Sequence, residues 1–335
     1  MRGIAFLFIF VFAFTTLLGQ TESTKPYKIL EGHKHKINSI CYSSTGGLLA
    51  SAGWDNTVRI WDTNKYQEKF VLIGHEDNVW VAMFSPDDKY LISGAMDASM
   101  IIWDAATGKQ IKRITIEPQK TKLKGIIPEL DFELPNSLGP GVFSPSGDLL
   151  FTGSTDGLIR IFDMNKLAFI DTLYGHKGPV SHFAISNNGK LMATGSWQNE
   201  LAIWDLETFE ILHYIKTKEN SAYSLKFMDN DTLLFSAGAN SINIWDISSE
   251  TIIKTFEGQT GMQQCKFSPD GKYLASCAED YTVWLRDFET EKVIWKYRGS
   301  MLEISTLAFS PDGQYLTVGT PESKILIWKL ADLIE

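Results

Sequence analysis

The stretch "NTVRIWD", residues 56–62, is an apolar-alternating segment closed by a Trp-Asp pair, and close variants of it recur down the 335-residue chain. They end at Asp62, Asp104, Asp163, Asp205, Asp246, Asp287 and Lys329, so the intervals are 42, 59, 42, 41, 41 and 42 residues. A second series keeps step with the first: "YSSTG" from Tyr42, "FSPDD" from Phe84, "FSPSG" from Phe143, "ISNNG" from Ile185, "FMDND" from Phe227, and "FSPDG" from Phe267 and Phe309. Each starts 20 residues before its closing residue, or 19 in the fifth copy. Two markers on one period of this size specify a repeat architecture, in which each unit buries its apolar faces only against its neighbours.

Within a unit the order is an apolar strand, a turn of Ser, Pro, Asp, Asn and Gly, a strand such as "KYLISGA", another turn, and the closing strand. An outer run such as "EKFVLIG" at 68–74 follows. Such turns join antiparallel strands, with Pro presetting one dihedral and Gly accepting the positive one. Four short strands per roughly 42 residues describe one blade of a β-propeller. With the closing Trp-Asp pairs and the Gly-His pairs at Gly32–His33, Gly74–His75 and Gly175–His176, the chain resembles the WD-repeat β-propeller family from about Pro26 to Glu335. That resemblance implies an all-β, seven-bladed propeller with four antiparallel strands per blade, forming one domain over 26–335. It further implies that the N-terminal strand at 26–30, within "KPYKIL", completes the last blade beside residues 323–329 and so seals the ring.

Residues 1–19 combine Arg2 with an apolar or small run from Ile4 to Leu18, and the chain turns polar at "QTESTK". The run is shorter than the roughly 20 apolar residues a spanning helix needs, so it reads as a secretory signal peptide followed by a short linker at 20–25. The expected location is therefore periplasmic or secreted, without membrane insertion once the signal is removed; an uncleaved N-terminal anchor is the alternative. The net charge of −9 with scattered basic residues argues against nucleic acid and keeps an acidic surface soluble. Cys41, Cys265 and Cys277 are expected to form no disulfide, because a tight "SPDG" turn pairing Phe267 with Lys272 would set Leu274, not Cys277, opposite Cys265.

The resemblance also supplies an ordinary account of the histidines. In the family a Gly-His histidine, a Ser or Thr of the second strand, a turn Asp and the closing Trp form one structural hydrogen-bonded chain. Here that gives His33, Ser51, Asp55 and Trp61, then His75, Ser93, Asp97 and Trp103. The other blades depart: Gln198 stands at the Asp position of the fourth, Phe162 at the Trp position of the third, and Gln259 and Arg286 at the His and Trp positions of the sixth. These blades are expected to rely on apolar packing. No His-Glu-x-x-His, Gly-x-Ser-x-Gly, Cys-x-x-Cys or phosphate-cradling Gly-Lys loop occurs, and no cofactor, metal or catalytic residue is assigned.

The resemblance places protein and peptide binding on the face that carries the Gly-His loops. Its usual contact positions map to Lys36 and Asn38, Asn78 and Trp80, Pro179 and Ser181, Ser221 and Tyr223, Gly261 and Gln263, and Glu303 and Ser305 at the starts of the innermost strands. Before the turn Asp they map to Trp54, Met96, Thr155, Trp197, Glu279 and Pro321. Asn78, Ser181, Tyr223 and Met96, with Trp54, Trp80 and Trp197, are the candidate binding set, because exposed aromatic side chains are over-represented among energetically dominant interface residues. The 59-residue interval exceeds the others by about 17 and marks an insertion at about 117–137, expected beside Trp80 and Met96. The preferred reading is a non-enzymatic scaffold, monomeric on its own, that binds a protein or peptide. An exported enzyme working in the central channel and a structural subunit of an envelope assembly are the alternatives.

Overall fold

The computed structural model describes residues 24–115, 121–122, 133–134, 138–217, 224–299 and 302–334. Residues 1–19, expected to be a signal peptide, together with Ser221, Tyr223 and most of the 117–137 insertion, lie outside them. Seven four-stranded antiparallel sheets form the blades of a ring, at 37–73, 79–115, 138–173, 180–216, 224–257, 262–297 and 306–329. The seventh is completed by Lys28–Glu31, which pairs antiparallel with Lys324–Lys329 in the register Lys28↔Ile327 through Glu31↔Lys324. Of the insertion, the structure describes a two-residue ladder, Thr121↔Leu134 and Lys122↔Glu133.

Second and third strands are covered on both faces by adjacent blades, so Leu48–Gly53 and Thr57–Asp62 are buried along most of their length, whereas the outermost Gln67–Ile73 is largely exposed. The core is therefore a ring of inter-blade clusters. Ile60 and Leu72 of blade 1 pack with Phe84, Leu91 and Trp103 of blade 2. Across the closure, Leu30, Ile325 and Ile327 of blade 7 pack with Ile37, Leu49 and Trp61 of blade 1.

The Asp of each Trp-Asp pair is a turn residue. Asp62, Asp104, Asp163, Asp205, Asp246 and Asp287 each accept the backbone N–H three residues on, at 2.7–3.0 Å, which starts the turn into the outermost strand. In the seventh copy Lys329 stands at that place and leads into a short 3₁₀ turn, Leu330–Leu333.

Turns between first and second strands are matched in pairs at six of the seven blade junctions, the exception being Asp229 of blade 5 followed by Gly271 of blade 6. Where one blade offers Pro, the next offers a left-handed Gly: a Cβ on Gly147 or Gly46 would lie 3.4 Å from Pro86 or Pro311, and one on Gly189 would lie 2.8 Å from Pro145. Where the preceding blade offers a residue that keeps its N–H, the next offers a left-handed Asp. Asp88 (φ 57°) accepts the amides of Ser44 and Thr45 at 2.7 and 3.1 Å, and Asp231 (φ 68°) accepts those of Asn187 and Asn188 at 2.7 and 3.0 Å. A non-Gly residue at positive φ is strained, and here its carboxylate satisfies amides that Pro would lack.

The cysteines are free, and the register differs from the tight-turn expectation by two residues: Phe267 pairs with Leu274 and Cys265 with Ser276. The cause is Ser268, whose N–H donates to the Tyr273 carbonyl and whose hydroxyl accepts the Tyr273 N–H, so the loop is wider than a two-residue turn.

Candidate binding face

His33 and His75 tie their loops to the sheet in the same way. The Nδ1 of His33 lies 3.0 Å from Asp55, its Nε2 lies 2.7 Å from Ser51 Oγ, and Trp61 Nε1 donates to the same hydroxyl at 2.8 Å. Since a carboxylate only accepts, the proton sits on Nδ1 and the serine hydroxyl donates to Nε2. In blade 2, His75 lies 3.2 Å from Asp97 and 2.7 Å from Ser93, which accepts Trp103 Nε1 at 2.8 Å. Burial alone would raise the carboxyls of Asp55 and Asp97; their hydrogen bonds outweigh it, from His33, Thr57 and the Lys34 amide in one case and from His75, Ser99 and the Glu76 amide in the other. Both are held well below the usual carboxylate range.

The divergent blades rebuild this chain with other atoms, which corrects the expectation that they rely on apolar packing. In blade 4 the carboxylate comes from Glu200, two residues beyond Gln198. It is buried, accepts the Lys177 amide at 3.1 Å as Asp55 accepts that of Lys34, and faces His176 Nδ1 at 3.6 Å. His176 Nε2 meets Thr194 at 2.7 Å, and Trp204 donates to the same hydroxyl. In blade 6 Gln259 replaces the imidazole, donating to Asp280 at 2.9 Å and accepting from Ser276 at 2.8 Å. Blade 3 joins Ser154, Asp156 and Arg160 instead, while Thr152 Oγ1 is buried with no partner among the described residues. In blade 5 Trp245 donates to Ser236 at 2.9 Å, and in blade 7 Trp328 donates to the Thr24 carbonyl at 2.7 Å.

The two sets of contact positions are held together in pairs. The N–H of the residue before the turn Asp donates to a carbonyl just ahead of the innermost strand: Trp54 to Lys36, Met96 to Asn78, Trp197 to Pro179 and Glu279 to Gly261, at 2.9–3.0 Å. Side chains add to this: the Lys36 ammonium sits 5.5 Å from the Trp54 ring centre, Asn78 Nδ2 lies 3.8 Å from Met96 Sδ, and Gln263 donates to Glu279 at 3.0 Å. Lys36 also faces Glu303 across the ring closure at 3.9 Å.

The innermost strands carry a feature that periodicity does not reveal. The register skips one residue at Asn38, at Trp80, at Ser181 and at Gln263, so each is the extra residue of a β-bulge at the same place in its blade. A bulge leaves its residue out of the ladder and re-aims the side chain. Trp80 is accordingly 39% exposed although it lies inside a strand, and Trp54 and Trp197 are 40% and 45% exposed. Ser181 is buried and hydrogen-bonded to His182. Tyr223 lies outside the described residues.

Below this rim, side chains stitch neighbouring innermost strands, whose inner edges have no ladder partner. Thr306 accepts the Ile40 amide at 3.1 Å, Gln264 that of Leu307 at 2.8 Å, Ser224 that of Cys265 at 2.9 Å and Ser39 that of Ala82 at 3.4 Å. Four junctions of the channel wall thus satisfy an amide that would otherwise face only the channel.

The family model described as WD domain, G-beta repeat, matches residues 24–62, 66–104, 136–163 and 291–329. The model for eukaryotic translation initiation factor eIF2A matches 173–309. The chain is 23% identical over 317 residues to Protein tipD of Dictyostelium discoideum, covering 91% of this chain and 49% of that protein. It is 23% identical over 325 residues to pre-mRNA-processing factor 19 homolog 2 of Arabidopsis thaliana, covering 94% and 50%. It therefore spans about half the length of these two relatives. With the serine-threonine kinase receptor-associated protein of Gallus gallus it shares 24% identity over 304 residues, covering 89% and 81%. Closed by its N-terminal strand, with His-Ser-Trp chains in its repeats, this chain belongs to the WD-repeat β-propeller family.

Proposed function

We propose that the protein is an exported, non-enzymatic scaffold that holds a protein or peptide against its Gly-His face. The observation that carries this is the exposure of three indoles, Trp54, Trp80 and Trp197, on pinned loops and bulges of one rigid rim. An indole fixed in place loses little freedom on binding, so its contact area goes largely into affinity. WD-repeat propellers bind protein partners as a class, which supports the same reading. Export rests on the composition of residues 1–19 alone, and the mass of the mature N-terminus purified from the native host tests it.

The experiment is selection of a random peptide display library on the purified chain, followed by polarisation binding of the enriched peptides. Trp80→Ala is expected to weaken them by roughly 30-fold, the equivalent of about 2 kcal/mol for an aromatic anchor. Lys65→Ala, in an exposed turn joining the third and fourth strands of blade 1, should leave binding unchanged. Peptides that bind Trp54→Ala, Trp80→Ala and Trp197→Ala as tightly as the parent would refute the assignment of the face.

A further inference from the structure

The channel contains an electrostatic anomaly unrelated to the binding rim. In a chain of net charge −9, the described innermost strands hold no Asp or Glu at all, yet they hold Lys226, Lys266 and His182. The two lysines occupy the same register in consecutive blades, each one residue before the Phe that opens the turn, at Phe227 and Phe267. The equivalent residues of the other blades are Cys41, Met83, Val142, Ala184 and Ala308, which are apolar or small. At this level two consecutive blades therefore carry a lysine where the other five carry apolar or small residues.

A cavity of about 300 Å³ opens there, lined by both lysines with His182, Ser224 and Gln264 and by no acidic residue. Lys266 is reached by water and lines the same cavity as His182 of blade 4 and Lys226 of blade 5. Neither lysine has an ion pair among the described residues; Lys226 lies over the Phe267 ring at 4.3 Å. Gln264 turns its oxygen to the Leu307 amide, so its NH₂ remains a donor. Burial draws both ammonium groups below their ordinary range, and burial together with Lys266 pulls His182 down to about 3. Cations left unneutralised in a confined space are costly, and a bound anion removes that cost.

We propose that this part of the channel is a binding site for a small multivalent oxyanion, carrying carboxylate or phosphate oxygens, held between Lys226 and Lys266 with the Gln264 amide as a further donor. The site is independent of the indole rim, so its failure would leave the scaffold reading untouched.

Calorimetry and thermal melting of the full chain with inorganic phosphate, and separately with citrate, at constant ionic strength set by chloride, test it. Saturable binding with a rise in melting temperature is expected from at least one of the two, and which one responds distinguishes phosphate from carboxylate chemistry. Lys226→Met and Lys266→Met should each weaken binding at least tenfold, and the double variant should abolish it. Without added anion, both variants should melt no lower than the parent, because each removes a cation that has no ion pair among the described residues, and this shows that they are folded. The absence of saturable binding at millimolar phosphate and citrate overturns the proposal, as does undiminished binding by the double variant.

Discussion

Replacing Ser51 with Ala separates a hydrogen-bond chain from simple packing, and Ser236 supplies a matched control. Both serines sit on the second strand of a blade, are buried, and accept an indole N–H, from Trp61 in one blade and Trp245 in the other. Ser51 also donates to His33 Nε2, whereas blade 5 has no such histidine. Ser51→Ala thus strands two buried polar atoms and Ser236→Ala strands one. At about 1–2 kcal/mol for each orphaned group, the expected losses are about 2–4 kcal/mol for Ser51→Ala and about 1–2 kcal/mol for Ser236→Ala. With a urea dependence of roughly 3 kcal/mol per molar, the midpoints fall by about 1 M and about 0.5 M. Far-ultraviolet circular dichroism across a urea series reads both. Trp61→Phe keeps the Ser51–His33 bond, so it should resemble Ser236→Ala rather than Ser51→Ala. Equal midpoints for the two serine variants would refute the relay and leave the histidine as a packing residue.

Two further outcomes follow from the electrostatics and the turns. Asp55 and Asp97 have depressed folded pKa values, so each contributes stability that is present above the ordinary carboxylate range and is lost as pH falls through the folded value. Below about pH 4 the urea midpoint should drop more steeply in the parent than in the Asp55→Asn, Asp97→Asn double variant, and parallel curves would refute this. Asp88→Gly relieves a left-handed backbone but takes the acceptor from the Ser44 and Thr45 amides, so it should lower stability by about 1 kcal/mol; adding Ser44→Pro, which removes one of the two amides, should recover part of the loss in thermal melting.

The period, the blade count and the closing strand were legible because each rests on patterns that recur in sequence: apolar alternation, turn composition and spacing. What escaped was offset by one or two residues from the repeat. Glu200 escaped because a carboxylate two positions beyond Gln198 reaches the same amide, and strict alignment looks only at the aligned column. The bulges at Asn38, Trp80, Ser181 and Gln263 escaped because an extra residue disturbs the ladder without disturbing the period. The Pro-Gly and Ser-Asp pairing could be recognised only once consecutive repeats were known to be spatial neighbours. Lys226 and Lys266 stood in plain view in "LKFMDN" and "CKFSPD", but alternation assigns a polar residue before Phe to solvent, and a channel satisfies the same pattern.

These offsets share a physical cause, and it bears on how such a ring carries function. The feature that repeats at every junction is the inter-blade apolar cluster, because a fault at one junction is not absorbed elsewhere, whereas the indole bond to a second-strand hydroxyl recurs in blades 1, 2, 4 and 5. Atoms that satisfy the same requirement from another residue are free to vary, as Glu200 and Gln259 do. A bulge goes further, since it releases one side chain per blade from the ladder while the strand keeps its length and partners. Trp80 is exposed on that account, in the same strand where Val79 and Ala82 are buried. The rim can therefore change chemistry from blade to blade while the load stays on the second and third strands, so substitutions at Trp80 should alter recognition with little effect on melting.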